Sequence, residues 1–234
     1  MASNNAYGPQ IVTDGLVLCL DANNAKSYPG AGTAWSDLAG SGNSATLFNA
    51  VAFNSDGYFT YDGTNDWSSI SSPGSYNTYS FEMFINILTA TQYSSRFFGH
   101  TSYGTYCLLN PANVTFHFNP DPATSGSGSV NVASGVNVGY GNWFHVCVTT
   151  TRASGPYLTK VYINGHLRVT SGLVPSSTIG GTLVLGAQRN PTTWPSGGQQ
   201  PSNCHLANFR LYDRLLNSSE VLNNFNSLRS RFGL

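Results

Sequence analysis

The chain has 234 residues, 40% hydrophobic, 13% aromatic and only 9% charged, which supplies a core and excludes a disordered polypeptide. Ten basic residues balance ten acidic ones with no run of like charge, so the electrostatic steering used by nucleic-acid and anionic-membrane binders is excluded. No stretch reaches the roughly 18 apolar residues of a membrane span, and the opening MASNNAYGPQIVTDG lacks the basic start and apolar run of an export signal; a soluble chain without such a signal is expected.

In chain order, a polar N-terminal arm over 1–14 precedes a predicted domain over 15–234. Short strand-like runs then recur between turns rich in Gly, Asn, Asp, Ser and Pro, which predicts an all-β sandwich and not βαβ units. The predicted strands are 16–20, 57–62, 79–88, 105–109, 114–118, 143–150, 157–163, 183–186 and 206–212. In YSFEMFINIL, the residues Tyr79, Phe81, Met83, Ile85 and Ile87 fall on one face and are expected in the core. The other face, with Ser80, Glu82, Phe84, Asn86 and Leu88, is expected to be either wet or covered by a second layer. Asn164-Gly165 between two β-rich runs predicts a type I′ hairpin, because both positions need positive φ. One helix follows near the C-terminus: Asn217 caps it, Glu220 completes a capping box, Val221, Leu222, Phe225 and Leu228 form its apolar stripe, and Gly233 lies past its end.

Three stretches read as loops, 23–43, 119–129 and 187–203, and long loops in compact domains are often functional. Cys19, Cys107 and Cys147 sit inside apolar runs and are expected as buried free thiols; a disulfide in an exported protein is the alternative. No CxxC or Cys/His spacing points to zinc.

GLVLCLDA, FTYDGTNDW, YSFEMFINI, WFHVCVTT, VYINGHLR, LVLGA and LANFRLYDRLLNSSEVLNNFNSLRSRFGL, in that order from about Gly15 to Leu234, together resemble the laminin-G-like, concanavalin A-like lectin/glucanase family. The resemblance implies a jelly roll of two antiparallel sheets, one curved into a shallow groove. The version with SYPGAGTAWSDLAGSGNSATL after the first strand and RSRFGL at the end is similar to domains of tailed-phage virion proteins. That implies a capsid-decoration, fibre or tail module assembled in the bacterial cytoplasm. Fold does not dictate function.

Glycosidases of this fold use carboxylates about 5–9 Å apart, and the required Glu-x-Asp-x-x-Glu run is missing. Only two glutamates exist, Glu82 and Glu220; Glu220 is used as a helix cap, and Glu82 stands alone on its strand. No Gly-x-Ser-x-Gly elbow is present. His145 is expected in the core, and His100, His117, His166 and His205 form no ligand pattern. No catalytic residue is therefore assigned.

Laminin-G relatives often hold calcium near the sandwich rim. The resemblance makes Asp62 and Asp66, with the Asn65 amide, the candidate ligands, although hard cations want six to eight oxygens. The competing reading makes both aspartates turn formers that bond neighbouring amides. For sugar, Trp194 in NPTTWPSGGQQPSN is the candidate stacking ring, with Tyr103, Asn190, Gln199 and Gln200 around it; alternatively Trp194 anchors its loop or buries against a neighbouring subunit. Trp35, Trp67 and Trp143 are assigned to packing.

Three functions follow. The leading expectation is a non-enzymatic virion component that packs on other virion proteins as a homo-oligomer and can contact cell-surface glycan; an ordered polar arm held by another chain would agree with it. The alternatives are a stand-alone lectin-like protein and, more remotely, a glycoside hydrolase.

Overall fold

A computed structural model describes residues 10–71, 73–89, 95–100, 106–110, 115–119, 130–132, 138–152, 158–174, 178–187 and 201–234. The strands are β1 Leu16–Asp21, β2 Ala34–Trp35, β3 Ala45–Phe48, β4 Ala52–Asn54, β5 Tyr58–Asp62, β6 Trp67–Ser71, β7 Thr78–Ile87 and β8 Ser95–His100. They continue with β9 Tyr106–Asn110, β10 Thr115–Asn119, β11 Val130–Asn131, β12 Trp143–Thr151, β13 Leu158–Ile163, β14 His166–Ser171, β15 Thr182–Leu185 and β16 Asn203–Tyr212. Helix α1 Ser218–Leu228 and a 3-10 turn Arg229–Phe232 close the chain.

The strands form two antiparallel sheets, as expected. The first has the order β14-β13-β12-β7-β16-β5-β4, with β1 also alongside β16; the second runs β11-β10-β9-β8-β15-β6-β3-β2. Strand alternation places Tyr79, Phe81, Met83, Ile85 and Ile87 of β7 between the sheets. There Phe81 stacks on Phe98 of the second sheet at 4.5 Å, and Phe98 meets Phe209 at 5.5 Å. Such aromatic contacts add about 0.5–1.5 kcal/mol each beyond the area they bury.

The other face of β7 is covered. Ser80, Glu82, Phe84 and Asn86 are all buried, because α1 and the following turn lie across them: Phe84 stacks with Phe225 at 6.1 Å and with Phe232 at 4.6 Å. The helix starts where expected. Asn217 accepts from the Ser219 and Glu220 amides at 2.9 and 3.0 Å, and the Glu220 carboxylate accepts from the Asn217 amide at 2.8 Å. One part of the predicted stripe differs, since Leu222 is exposed and Asn224 is buried in its place. Asn224 is accommodated because its amide accepts from Val12 N at 2.7 Å and donates to Tyr212 Oη at 3.0 Å. The described end of the N-terminal arm therefore packs on its own domain.

The hairpin between β13 and β14 has Asn164 at φ 51° and Gly165 at φ 77°, the positive pair that a type I′ turn needs. Gly165 also lets the turn approach α1, since a Cβ there would lie 2.9 Å from Leu222 Cδ1. The 23–43 stretch is not simply a loop: it contains β2 and sends Tyr28 and Trp35 into the core, each 4.8 Å from the Phe59 ring. Trp35 packs as expected, whereas the Gly and Ser content of the stretch hid Tyr28 and the short strand β2. All four cysteines are free and buried.

Candidate functional site

The outer face of the first sheet carries the polar chemistry, and its rows run across three central strands. In one row Cys147, Glu82 and Arg210 are neighbours on β12, β7 and β16; four residues along β7, Trp143, Asn86 and His205 are neighbours.

Glu82 is fully buried, with Oε1 2.8 Å from Arg210 Nη1 and Oε2 3.3 Å from His145 Nε2. Burial alone would raise its carboxyl, but the hydrogen bond from His145 and the charge of Arg210 outweigh it and hold the group at about 2. A carboxylate can only accept, so His145 donates from Nε2. Glu82 is thus an ionised structural anchor under α1, shut off from solvent, and cannot reach a substrate in this arrangement. His145 is buried as expected from the sequence.

Asp62, Asn65 and Asp66 lie in the β5–β6 turn. Asp62 Oδ1 accepts from the amides of Thr64 at 2.7 Å and Asn65 at 3.2 Å, while Asp66 Oδ2 accepts from the Asp62 amide at 3.2 Å. The Asn65 carbonyl is taken by Asn49 Nδ2 at 2.7 Å. These bonds fit the turn-forming reading of both aspartates, and no group of three or more His, Cys, Asp or Glu that could hold a metal occurs among the described residues. Desolvation, then the Asp62 charge, pushes the buried Asp66 carboxyl up to about 6.

Trp194, Tyr103, Asn190, Gln199 and Gln200 lie outside the described residues.

The structure opens a different site. At the end of the first sheet away from the Glu82 triad, Asn23, Asp56, Tyr58, Trp143, Arg231 and Phe232 line a cleft of about 400 Å³. That volume is within the roughly 300–1,000 Å³ of small-ligand sites. Its rings are packed against one another: Trp143 lies 4.6 Å from Phe232 and 5.4 Å from Tyr58, and Tyr58 lies 4.5 Å from His205. Trp143 packs as expected, and Trp143, Tyr58 and Phe232 are only partly buried, so each also meets solvent. Asn86, between Trp143 and His205 in register, is 7% exposed and its Oδ1 has no hydrogen-bond partner among the described residues. Gly57, at φ 86°, holds the rim: a Cβ there would lie 2.5 Å from Asn23 Cβ, and its carbonyl accepts from Arg231 Nη2 at 3.2 Å.

Sequence reasoning missed this cleft because its six residues come from four separated segments. Alternation in WFHVCV does place Trp143 on the outer face with His145 and Cys147; only α1 and the 3-10 turn decide that it stays open to solvent there.

Residues 62–222 match the laminin-G-type family model of the concanavalin A-like lectin/glucanases superfamily. The chain belongs to that superfamily. No curated protein is matched significantly by its sequence. Among solved structures, this lectin/glucanase-type chain is similar to a mutant of Trypanosoma rangeli sialidase displaying trans-sialidase activity, with TM-score 0.70 and 17% identity over 99% of this chain and 36% of that one. It is similar to the binding domain of botulinum neurotoxin DC in complex with SialylT, with TM-score 0.67 and 16% identity over 92% of this chain and 52% of that one. A third is domain 4 of AbnA, an extracellular arabinanase from Geobacillus stearothermophilus, in complex with arabinotriose; there the TM-score is 0.63 and identity 17%, over 89% of this chain and 97% of that one. The chain spans about a third of the length of the sialidases. Likeness at these identities establishes the sandwich fold of the superfamily member.

Proposed function

We propose that the chain is a non-catalytic carbohydrate-recognition module whose aromatic cleft at Tyr58, Trp143 and Phe232 contacts the sugar. The observation that carries this reading is the state of Glu82: the sole glutamate on a central strand is sealed beneath α1 and held ionised by the Arg210 guanidinium and a hydrogen bond from His145. Most glycosidases use one carboxyl able to give a proton to the leaving oxygen and a second nearby, and a carboxyl held at about 2 does not give protons near neutral pH. Half-exposed rings beside Asn23 and Asp56 form the mixed apolar and polar surface that small-molecule sites use. Membership of the lectin/glucanase superfamily supports the same class of ligand.

A virion setting, with homo-oligomeric packing on other virion proteins and assembly in a bacterial cytoplasm, rests on the sequence resemblance. The family match and the fold likenesses add nothing to it, and Gln10 and Val12 bond to Asn223, Asn224 and Tyr212 of the same chain. Recognition is therefore the function placed first.

The test is a glycan array probed with the full chain, together with a hydrolysis assay on the glycans it retains. Binding without turnover is expected. An array without a single specific hit sinks the recognition reading, and turnover lost in a folded Glu82→Gln variant sinks the non-catalytic one.

A further inference from the structure

The charges around the cleft are already allocated. Arg231 is the one cation among the residues that line it. Its Nη1 donates to both carboxylate oxygens of Asp21 at 3.1 Å, and its Nη2 is bound to the Gly57 carbonyl. Its positive charge is balanced within the wall. Asp56 differs: it is exposed, its backbone amide donates to Asn54 Oδ1 at 2.8 Å, and its carboxylate makes no ion pair among the described residues. His205, against Tyr58, is pushed below its ordinary value by desolvation, which favours the uncharged ring. One cation set against Asp21 and Asp56 leaves the cleft negative by one unit.

We propose that this cleft takes neutral sugar rings and turns away sialic and uronic acids, an inference that rests on the carbohydrate-recognition reading above. A neutral ring offers two complementary surfaces. Its C–H face packs on half-exposed aromatic carbon at Trp143 and Tyr58, which removes apolar area from water. Its hydroxyls donate to the free Asp56 carboxylate, a charge-assisted bond stronger than a neutral one, while the Asn23 amide both donates and accepts. An acid-bearing sugar loses the second set. Its carboxylate meets Asp56 with no uncommitted cation in the lining, and recruiting Arg231 would break the part-buried pair with Asp21. Like charges in contact at a surface cost on the order of tenfold in affinity.

The experiment uses the full chain and matched probes, lactose against 3′-sialyllactose and galactotriose against trigalacturonate, chosen to accompany the neutral glycans retained on the array. Affinities are measured by titration calorimetry for the wild type and for Trp143→Ala, Asp56→Asn and Asp56→Lys. The expected result is that each neutral probe that binds exceeds its acidic partner by about tenfold or more, and that Trp143→Ala loses at least about tenfold of that binding. Asp56→Lys narrows or reverses the preference, and Asp56→Asn falls between. Asp56 is exposed, so its variants remain decisive if Trp143→Ala fails to fold. Acidic probes that bind more tightly than their neutral partners and depend on Trp143 overturn the inference while leaving carbohydrate recognition intact. Glycan binding untouched by every variant overturns the cleft as the site. Binding to no glycan at all removes the recognition reading itself.

Discussion

The two ends of one sheet face differ in a single respect, and that respect decides their chemistry. Along β7 the outward side chains run Glu82, Phe84, Asn86. At Glu82 the face is roofed by α1, and the polar groups there pair with each other: carboxylate, guanidinium and imidazole within 3.3 Å. At Asn86 the roof thins to Phe232, and the neighbouring rings of Trp143 and Tyr58 retain contact with solvent. The helix makes the Glu82 carboxylate a structural anchor, whereas Asp56, in the β4–β5 turn beside the open end, stays exposed. Phe84, stacked on both Phe225 and Phe232, is the partition between them.

The largest effect is expected from breaking the sealed end. Glu82→Gln leaves Arg210 buried without its counter-charge, and losing one member of a buried pair costs about 3–5 kcal/mol, read as a lower midpoint in urea. The wild type carries the matching pH signature. Glu82 is held at about 2, below the ordinary 4.5, so its contribution is complete above about pH 4.5 and is lost as pH falls toward 2. An acid titration in which wild type and Glu82→Gln lose stability in parallel through that window would refute the anchor.

A smaller effect is expected at the open end. Gly57→Ala must adopt positive φ, at roughly 1–2 kcal/mol, and its Cβ would push Asn23 off the rim. Sugar affinity should fall more than stability does, and a variant that binds normally would detach the rim from recognition.

The smallest effect has the opposite sign. Asp66 is raised to about 6 by burial and the nearby Asp62 charge, so its ionised form weakens the fold at neutral pH. Asp66→Asn should raise the melting temperature at pH 7.5, and the gain should shrink progressively as pH falls from about 6 toward the ordinary 3.8, as the wild-type carboxyl takes up its proton in the folded state. Calcium added to the wild type should leave the melting temperature unchanged; a calcium-dependent rise lost in Asp66→Asn would restore these residues as ligands.

How much was legible varies with how local the cause is. The Asn164-Gly165 turn and the Asn217/Glu220 box were readable because a few adjacent residues satisfy their own backbone groups. The apolar face of β7 was readable for the same kind of reason, since alternation is a property of the strand. Tyr28 was missed because the residues around it have turn chemistry, while its burial depends on Phe59 more than twenty positions away; Trp35 was read as a packing residue, although its short strand was not. Leu222 and Asn224 exchanged roles because the arm at Val12 and the Tyr212 hydroxyl offered the amide both of its partners. The cleft was the least legible, because Asn23, Asp56, Trp143 and Arg231 belong to no shared motif.

By itself, the order of strand-forming runs and turn residues determined a two-sheet β-sandwich with one C-terminal helix, and the scarcity of glutamate removed the usual glycosidase machinery. Only the tertiary structure decided which polar groups are sealed and which meet solvent. Burial is set by the element that lands on a surface, and α1 lands on Glu82 and stops short of Asp56.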